Sequence, residues 1–367
     1  MTPPPISKVS RRASLDLIRS FAIIAVVALH VVPQSESAWV YRIFFESMSK
    51  VGVPLFLILS GYLMLDRDYT EPDRLKRFFV HNWLPMVVAF ELWVFVSFLL
   101  SAGKYAIQPD GSFRDLVGGV LSTAAFWGEP YMTYFWYMQM IIGIYLFIPP
   151  LASFLHTVVS KGCRVWVHVV MSLLLVWVFL LPTMQLIAGW FGVKISGESS
   201  LGWFVGKGAL GVAYMLLGYC LRTVPILVNA SLKIRVVVFF LSVALLWGVC
   251  AVDYAQTRQS FMVTDGFLPI AAFAFALFWL LLKTERPLAD MPHLRTASYW
   301  LSRLSFGVYM SHVLVAMCIG AVLPDALSSG VMKLAIINPV TVLALAVVAC
   351  LVLERITVTR KWLLLVR

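Results

Sequence analysis

Charge is scarce in this chain. Asp, Glu, Lys and Arg make up 13% of its 367 residues, against roughly 25% in a soluble domain. Hydrophobic residues make up 61% and the mean hydropathy is +0.88, which excludes the soluble globular classes and leaves a polytopic membrane protein. Cysteine is equally thin. Cys163, Cys220, Cys250, Cys318 and Cys350 are scattered with no C-x-x-C pair, so neither a disulfide framework nor a zinc site can be read from them. The six histidines contain no H-E-x-x-H or H-x3-H pattern, and no metal is expected. There is no internal repeat or low-complexity tract, which argues against the repeat-built secondary transporters. No long polar insert separates the apolar runs between Leu15 and Leu353, so a single integral domain is expected.

Basic residues are the exception to the shortage, with a formal net charge of +11. Nucleic acid is not the expected partner, because polytopic proteins concentrate Lys and Arg in their cytoplasmic loops. About ten spans are expected, near 14–33, 47–65, 78–101, 133–156, 164–188, 206–222, 233–252, 263–283, 304–324 and 332–354, each close to the ~20 residues a bilayer requires. With the N-terminus inside, 21 of the 29 Lys and Arg residues fall on the cytoplasmic side and eight outside, so both termini are expected inside. Residues 1–12 then form a cytoplasmic tail, 13–355 the transmembrane domain and 356–367 a second cytoplasmic tail. Arg11, Arg12, the apolar stretch after them and Ser35-Glu36-Ser37 imitate a secretory signal peptide. Asp16 and Arg19 interrupt its apolar core, so a retained first helix is expected.

That first span, LDLIRSFAIIAVVALHVV, holds the most informative pair. Arg19 and His30 are eleven residues apart, about three helical turns and roughly 16 Å along the axis, and so face the same way. Asp16, Ile23 and Val26 share the stripe. Taken singly, Arg19 could snorkel to the headgroups and His30 could be a satisfied polar residue of a bundle. Together they favour function, because ionisable groups inside a span are costly and mark functional sites.

Other constellations are weaker alone. SKVGVPLFLILSGYLML in the second span places Gly52, Pro54, Ser60 and Gly61 among bulky residues, and Gly206, Gly208, Gly211 and Gly218 mark the sixth; small residues of this kind permit close helix packing. Arg74 and Arg77, just before the third span, are either ordinary inner-face charge or a cationic mouth for a phosphate-bearing donor. Ser305, Tyr309 and His312 in LSFGVYMSHVLV fall at i, i+4 and i+7 on one helix face, and His312 is expected between the depths of Arg19 and His30. Glu91 in the third span lies near the depth of His30 and could fix that imidazole's tautomer. Trp127, Tyr131, Trp190 and Trp203 in the outer loops are either interfacial belt residues or a sugar-stacking rim.

The ordered set resembles the membrane acyltransferase 3 family of bacterial integral O-acyltransferases. LDLIRSFAIIAVVALH carries its R-x10-H opening, and SKVGVPLFLILSGYLML its second-span pattern. FWYMQMIIGIYLFIPPL at 135–151 resembles its aromatic span ending in proline, and LSFGVYMSHVLV its late Ser-x3-Tyr-x2-His. The segment RLKRFFVHNWLP departs from the family, with His81 and Asn82 where apolar residues are usual. The resemblance implies an all-α bundle in the bacterial cytoplasmic membrane. It implies transfer of an acyl group, usually acetyl, from acyl-CoA to a hydroxyl of a cell-surface or lipid-linked glycan. His30 is then the catalytic residue with Arg19 essential beside it. Arg19, Arg74 and Arg77 are candidates for the acyl-CoA phosphates, and Ser305, Tyr309, His312 and Glu91 for the substrate side. A general base and a transient acyl-histidine are both open to His30. Because buried Arg, Glu and His also equip proton-coupled carriers, a carrier for a small metabolite or lipid-linked sugar is the alternative.

Overall fold

The computed structural model describes residues 11–31, 42–107, 112–193, 206–257, 264–322 and 336–366. Trp203 and residues 1–10 of the expected N-terminal tail lie outside them. Helices account for all the regular structure among the described residues, because a lipid-facing backbone must satisfy its own hydrogen bonds. In chain order they are α1 Ala13–His30, α2 Gly52–Met64, α3 Pro72–Phe78, α4 Leu84–Ile107, α5 Phe113–Ala124, α6 Trp136–Ser160, α7 Arg164–Leu175 and α8 Leu181–Trp190. There follow α9 Lys207–Thr223, α10 Leu232–Thr257, α11 Leu268–Leu281, α12 Glu285–Ala289, α13 Pro292–Val322, α14 Asn338–Glu354 and α15 Thr357–Trp362. Pro72, Pro182, Pro269 and Pro339 each stand in the first turn of a helix, where the missing N–H has no partner to lose.

Seven helical runs among the described residues are long and apolar enough to cross a membrane, so the protein is multi-pass. The other three expected spans are α9, α11 and α14, helices of 17, 14 and 17 residues. At 1.5 Å per residue a 14-residue helix covers about 21 Å, less than a ~30 Å hydrocarbon core. The span expected from 263 took in residues 264–267, ahead of α11, which are not helical.

α1 is the central element. Ile18, Ala22, Ile23, Val26 and Val27 are buried, while Phe21 and Ile24 remain exposed on the opposite side, as suits a helix half covered by protein and half by hydrocarbon. It packs on α2, α13 and α14. Its start is fixed from a distance: the Ala13 and Ser14 amides donate to the two carboxylate oxygens of Glu285 at 3.0 and 2.9 Å, satisfying two of the unpaired N–H groups of the first turn. Burial favours the neutral acid, but the bonds from Ser14 and Ala13 and the nearby Arg12 charge outweigh it, so the Glu285 carboxyl is held below its usual range. A depressed carboxyl contributes stability above its unfolded pKa and loses it as pH falls. Wild-type thermal stability should therefore decline on acidification, and Glu285→Gln should be less stable at neutral pH with a flatter acid limb in a Tm-against-pH series.

Glycine brings α2 and α9 into backbone contact. A Cβ on Gly61 would stand 1.9 Å from the Met215 carbonyl oxygen, and one on Gly218 2.0 Å from that of Ile58. Gly52 does the same against α1, where a Cβ would meet the Val26 amide at 2.8 Å. Gly208 is different, with nothing within 4 Å of an added Cβ, so not every glycine of the sixth span serves packing. Gly61→Ala or Gly218→Ala should force the helices apart and cost about 1–3 kcal/mol or more. A lowered Tm in detergent checks this, with Gly143→Ala, which also meets nothing within 4 Å, as the neutral comparison.

The segment expected as a C-terminal tail folds back on the bundle. Trp93 Nε1 donates to the Leu363 carbonyl at 2.9 Å, Leu364 is 1% exposed, and Gly307 leaves the room that Leu364 fills.

Candidate active site

At one end the site begins with two cations sharing one anion. Arg11 grips the buried Asp16 with both Nε and Nη2 at 2.7 Å. Ser302 of α13 donates to Asp16 Oδ1 at 2.7 Å and accepts from Arg19 Nη1 at 3.3 Å. Arg19 makes no carboxylate contact within salt-bridge distance among the described residues. Two guanidiniums against one carboxylate leave a net positive charge here, where low dielectric makes charge costly without a counter-ion.

Arg19 faces a chamber of about 300 Å³. Ser60, Tyr137, Tyr145, Ser305 and Tyr309 supply its polar wall, and Ser60 Oγ and the Tyr145 hydroxyl are hydrogen-bonded at 3.3 Å. Leu59, Leu63, Met86, Ile141 and Phe306 line it with apolar surface, and Leu364 and Leu365 close it. Arg303 also lines it, but is already paired with Glu354. A cationic end on a chamber with one polar and one apolar wall suits an anionic group with an amphipathic arm.

Tyr309 forms the shared wall between this chamber and a group of rings beyond it. Its hydroxyl donates to the Tyr134 carbonyl at 2.6 Å, and the Tyr134 hydroxyl returns a bond to the Met310 carbonyl at 3.2 Å. The Tyr309 ring lies 5.7 Å from the His312 ring, and His312 stands edge-on to His30 at 4.9 Å. From Ser302 to His312 is ten residues and from Arg19 to His30 eleven, about 15 and 16 Å at 1.5 Å each. The two helices touch at both ends of these stretches, so α1 and α13 run side by side in parallel. His312 therefore stands level with His30. The expectation of an intermediate depth counted α13 from residue 304, whereas the helix begins at Pro292.

Both imidazoles are held in one tautomer. His30 Nδ1 lies 2.8 Å from the Val26 carbonyl and His312 Nδ1 2.6 Å from that of Tyr309. A carbonyl oxygen only accepts, so each Nδ1 carries the proton and each Nε2 keeps its lone pair. His312 is fully buried and its Nε2 has no partner among the described residues. His30, at the end of α1, is exposed. An imidazole with an unprotonated Nε2 and an anchored Nδ1 is equipped as a proton acceptor.

The family whose model is described as an acyltransferase domain matches residues 12–355. The chain belongs to the acyltransferase 3 family. No curated protein and no solved structure matches it. The protein is thus a membrane acyltransferase, and the match spans both levels of the site, from Arg19 to His312.

Within this acyltransferase the candidate residues separate into two groups. Arg19, Ser305 and Tyr309 meet at the chamber, and His30 and His312 meet beyond it. Arg74 and Arg77 sit on α3 with exposed side chains, outside the chamber lining, and Arg74 is paired with Glu71 at 2.8 Å. Glu91 is on α4, its Oε1 buried with no hydrogen-bond partner among the described residues. The Val26 carbonyl, not Glu91, anchors His30 Nδ1. Ser302, Arg303 and Tyr134 were not anticipated. A span drawn from 304 excluded the first two, although a helix periodicity continued back to Ser298 would have placed Ser298, Ser302, Ser305 and Tyr309 on one face. Trp190 donates to Asp253 at 3.1 Å and so serves the fold. Among the described residues no group of three potential metal ligands occurs.

Proposed function

We propose that this acyltransferase moves an acyl group, acetyl in the simplest case, from acyl-CoA at the cytoplasmic face to a hydroxyl of a cell-surface or lipid-linked glycan. We place it in the bacterial cytoplasmic membrane with both termini inside, on the inner excess of Lys and Arg. The observation that carries the reading is the anchored, exposed His30 ring with an unprotonated Nε2, on the same helix as Arg19, the cation that faces the chamber about 16 Å away along the axis. In the proposed step Nε2 takes the proton of the acceptor hydroxyl, whose oxygen attacks the thioester carbonyl carbon. The C–S bond then breaks, and the leaving thiolate recovers the proton from the imidazolium. Arg19 attracts the anionic donor, Tyr309 and Ser305 shape the passage of its arm, and His312 packs edge-on to hold the His30 ring. Arg74 and Arg77 contribute only surface charge at the inner face.

Reconstituted protein supplied with labelled acetyl-CoA and mixed cell-wall glycans should place label on the glycan. Label found on no glycan would remove the acceptor half of the reading. The orientation has its own check: in a cysteine-free background, Thr70→Cys should react with an impermeant maleimide only from the cytoplasmic side and Asp110→Cys only from outside. The reverse pattern would move Arg19 to the acceptor side.

A further inference from the structure

A groove of about 540 Å³ runs between α6 and α9, outside the chamber. On α6 its lining residues are Trp136, Gln139, Met140, Gly143, Ile144 and Phe147, a single helical stripe that descends about 16 Å over eleven residues. The stripe changes character along its length. Trp136 and Gln139 are joined at the head by Glu129 and Lys207, whereas below them Met140, Ile144, Phe147 and Val212 are wholly apolar. In the orientation proposed above, the polar end lies at the outer surface and the apolar part within the hydrocarbon layer.

The floor of the groove is left open by glycine. An added Cβ on Gly143 or Gly208 meets nothing within 4 Å, whereas one on Gly211 would meet Ile144 at 2.2 Å. Gly211 therefore serves helix packing, and the other two keep the groove clear. A groove with a polar head and a long apolar body has the amphipathic form of one lipid molecule.

The head selects the kind of lipid. Lys207 Nζ lies 3.2 Å from both carboxylate oxygens of Glu129 and 5.4 Å from the centre of the Trp136 ring. The pair is electrically neutral, which disfavours an isolated phosphate. It offers both donors and acceptors, which suits hydroxyl groups, and the indole gives a flat apolar face for a sugar ring. The chain ties the head to the histidines. Trp136 directly follows the turn Thr133–Phe135, whose Tyr134 ring is 5.6 Å from His312 and 6.5 Å from His30.

We infer that the groove between α6 and α9 holds the hydrocarbon chain of a lipid-linked saccharide and seats its sugar at Trp136, Glu129 and Lys207, within reach of His30. The inference rests on the acyl-transfer reading and decides between its two kinds of acceptor, in favour of a glycan carried on a membrane lipid.

The test compares one saccharide in two forms in proteoliposomes, free and attached to a long aliphatic chain, each with labelled acetyl-CoA. Wild-type protein should acetylate the lipid-linked form at least tenfold faster. Gly143→Leu and Gly208→Leu fill the groove at positions with room for a side chain. They should remove that advantage, bringing lipid-linked transfer down to the rate of the free form. Unaltered lipid-linked rates in both variants, or a wild-type preference for the free form, would overturn the inference. A direct readout separates this from failure of the acyl-transfer reading. A glycolipid with a photoactivatable diazirine in its chain should crosslink to peptides containing Met140 or Ile144 in wild type and not in Gly143→Leu, whether or not transfer occurs. Equal crosslinking by a plain phospholipid probe would show a lipid-filled gap without sugar selection and would also overturn it.

Discussion

His30→Gln should bind acyl-CoA as tightly as the wild type and transfer no measurable acyl group. Glutamine can still reach the Val26 carbonyl with an amide N–H, so the end of α1 keeps an anchor like the one the imidazole uses. It has no nitrogen lone pair that takes a proton near neutral pH, and a general base contributes about 10²–10⁴ in rate. The rate should also fall at low pH, because a protonated imidazole has no free Nε2. His312→Ala removes a neighbour rather than the acceptor of the proton and should retain measurable turnover. Rapid mixing of wild type with labelled donor and no glycan, read at once by mass spectrometry at neutral pH, distinguishes the two routes: stoichiometric label on the protein means an acyl-histidine. Wild-type transfer by His30→Gln would end the assignment of chemistry to this ring.

Arg19→Ala should weaken acyl-CoA binding roughly ten- to a hundredfold, the equivalent of about 1.5–3 kcal/mol for a charge-assisted contact. The expected loss is large because, among the described residues, Arg19 donates a single hydrogen bond, to Ser302, and it faces the chamber. Removing it leaves Arg11 and Asp16 as a neutral pair, so the cationic end loses its net charge. Arg19→Lys should recover part of the affinity, since a point charge restores the field but not the two-pronged geometry. Titration of a fluorescent acyl-CoA analogue reads both. Unchanged affinity in Arg19→Ala would make this residue structural.

Periodicity within one helix was legible in the sequence; the neighbours of that helix were not. The spacing of Arg19 and His30 placed them on one stripe of α1, and the i, i+4, i+7 pattern placed Ser305, Tyr309 and His312 on one face of α13. That these two faces meet in parallel register depends on Ser302 bridging Asp16 and Arg19, a contact between residues 283 or more apart in sequence. Hydropathy reports how deep a residue lies, not what stands beside it. It therefore paired Glu91 with His30 by depth, whereas a backbone carbonyl one turn back supplies the anchor. The return of Leu363–Val366 was illegible for the same reason: LLLV reads as a short apolar end, and its place is set by the space at Gly307 and the indole of Trp93.

The position of that returning segment has a practical side. Leu364 and Leu365 are part of the chamber wall, and Arg11 holds Asp16 at the chamber's cationic end. A fluorescent protein attached close to Arg11 or Leu365 would hang beside the place where the donor is expected to dock, and its effect on kinetics could be mistaken for catalysis. The short helix Pro225–Asn229 lies off both the chamber and the lateral groove, and its Ile226, 79% exposed, is the safer place to attach a handle. Conversely, a small dye attached near Leu365 would make the chamber's occupancy visible without an acceptor present.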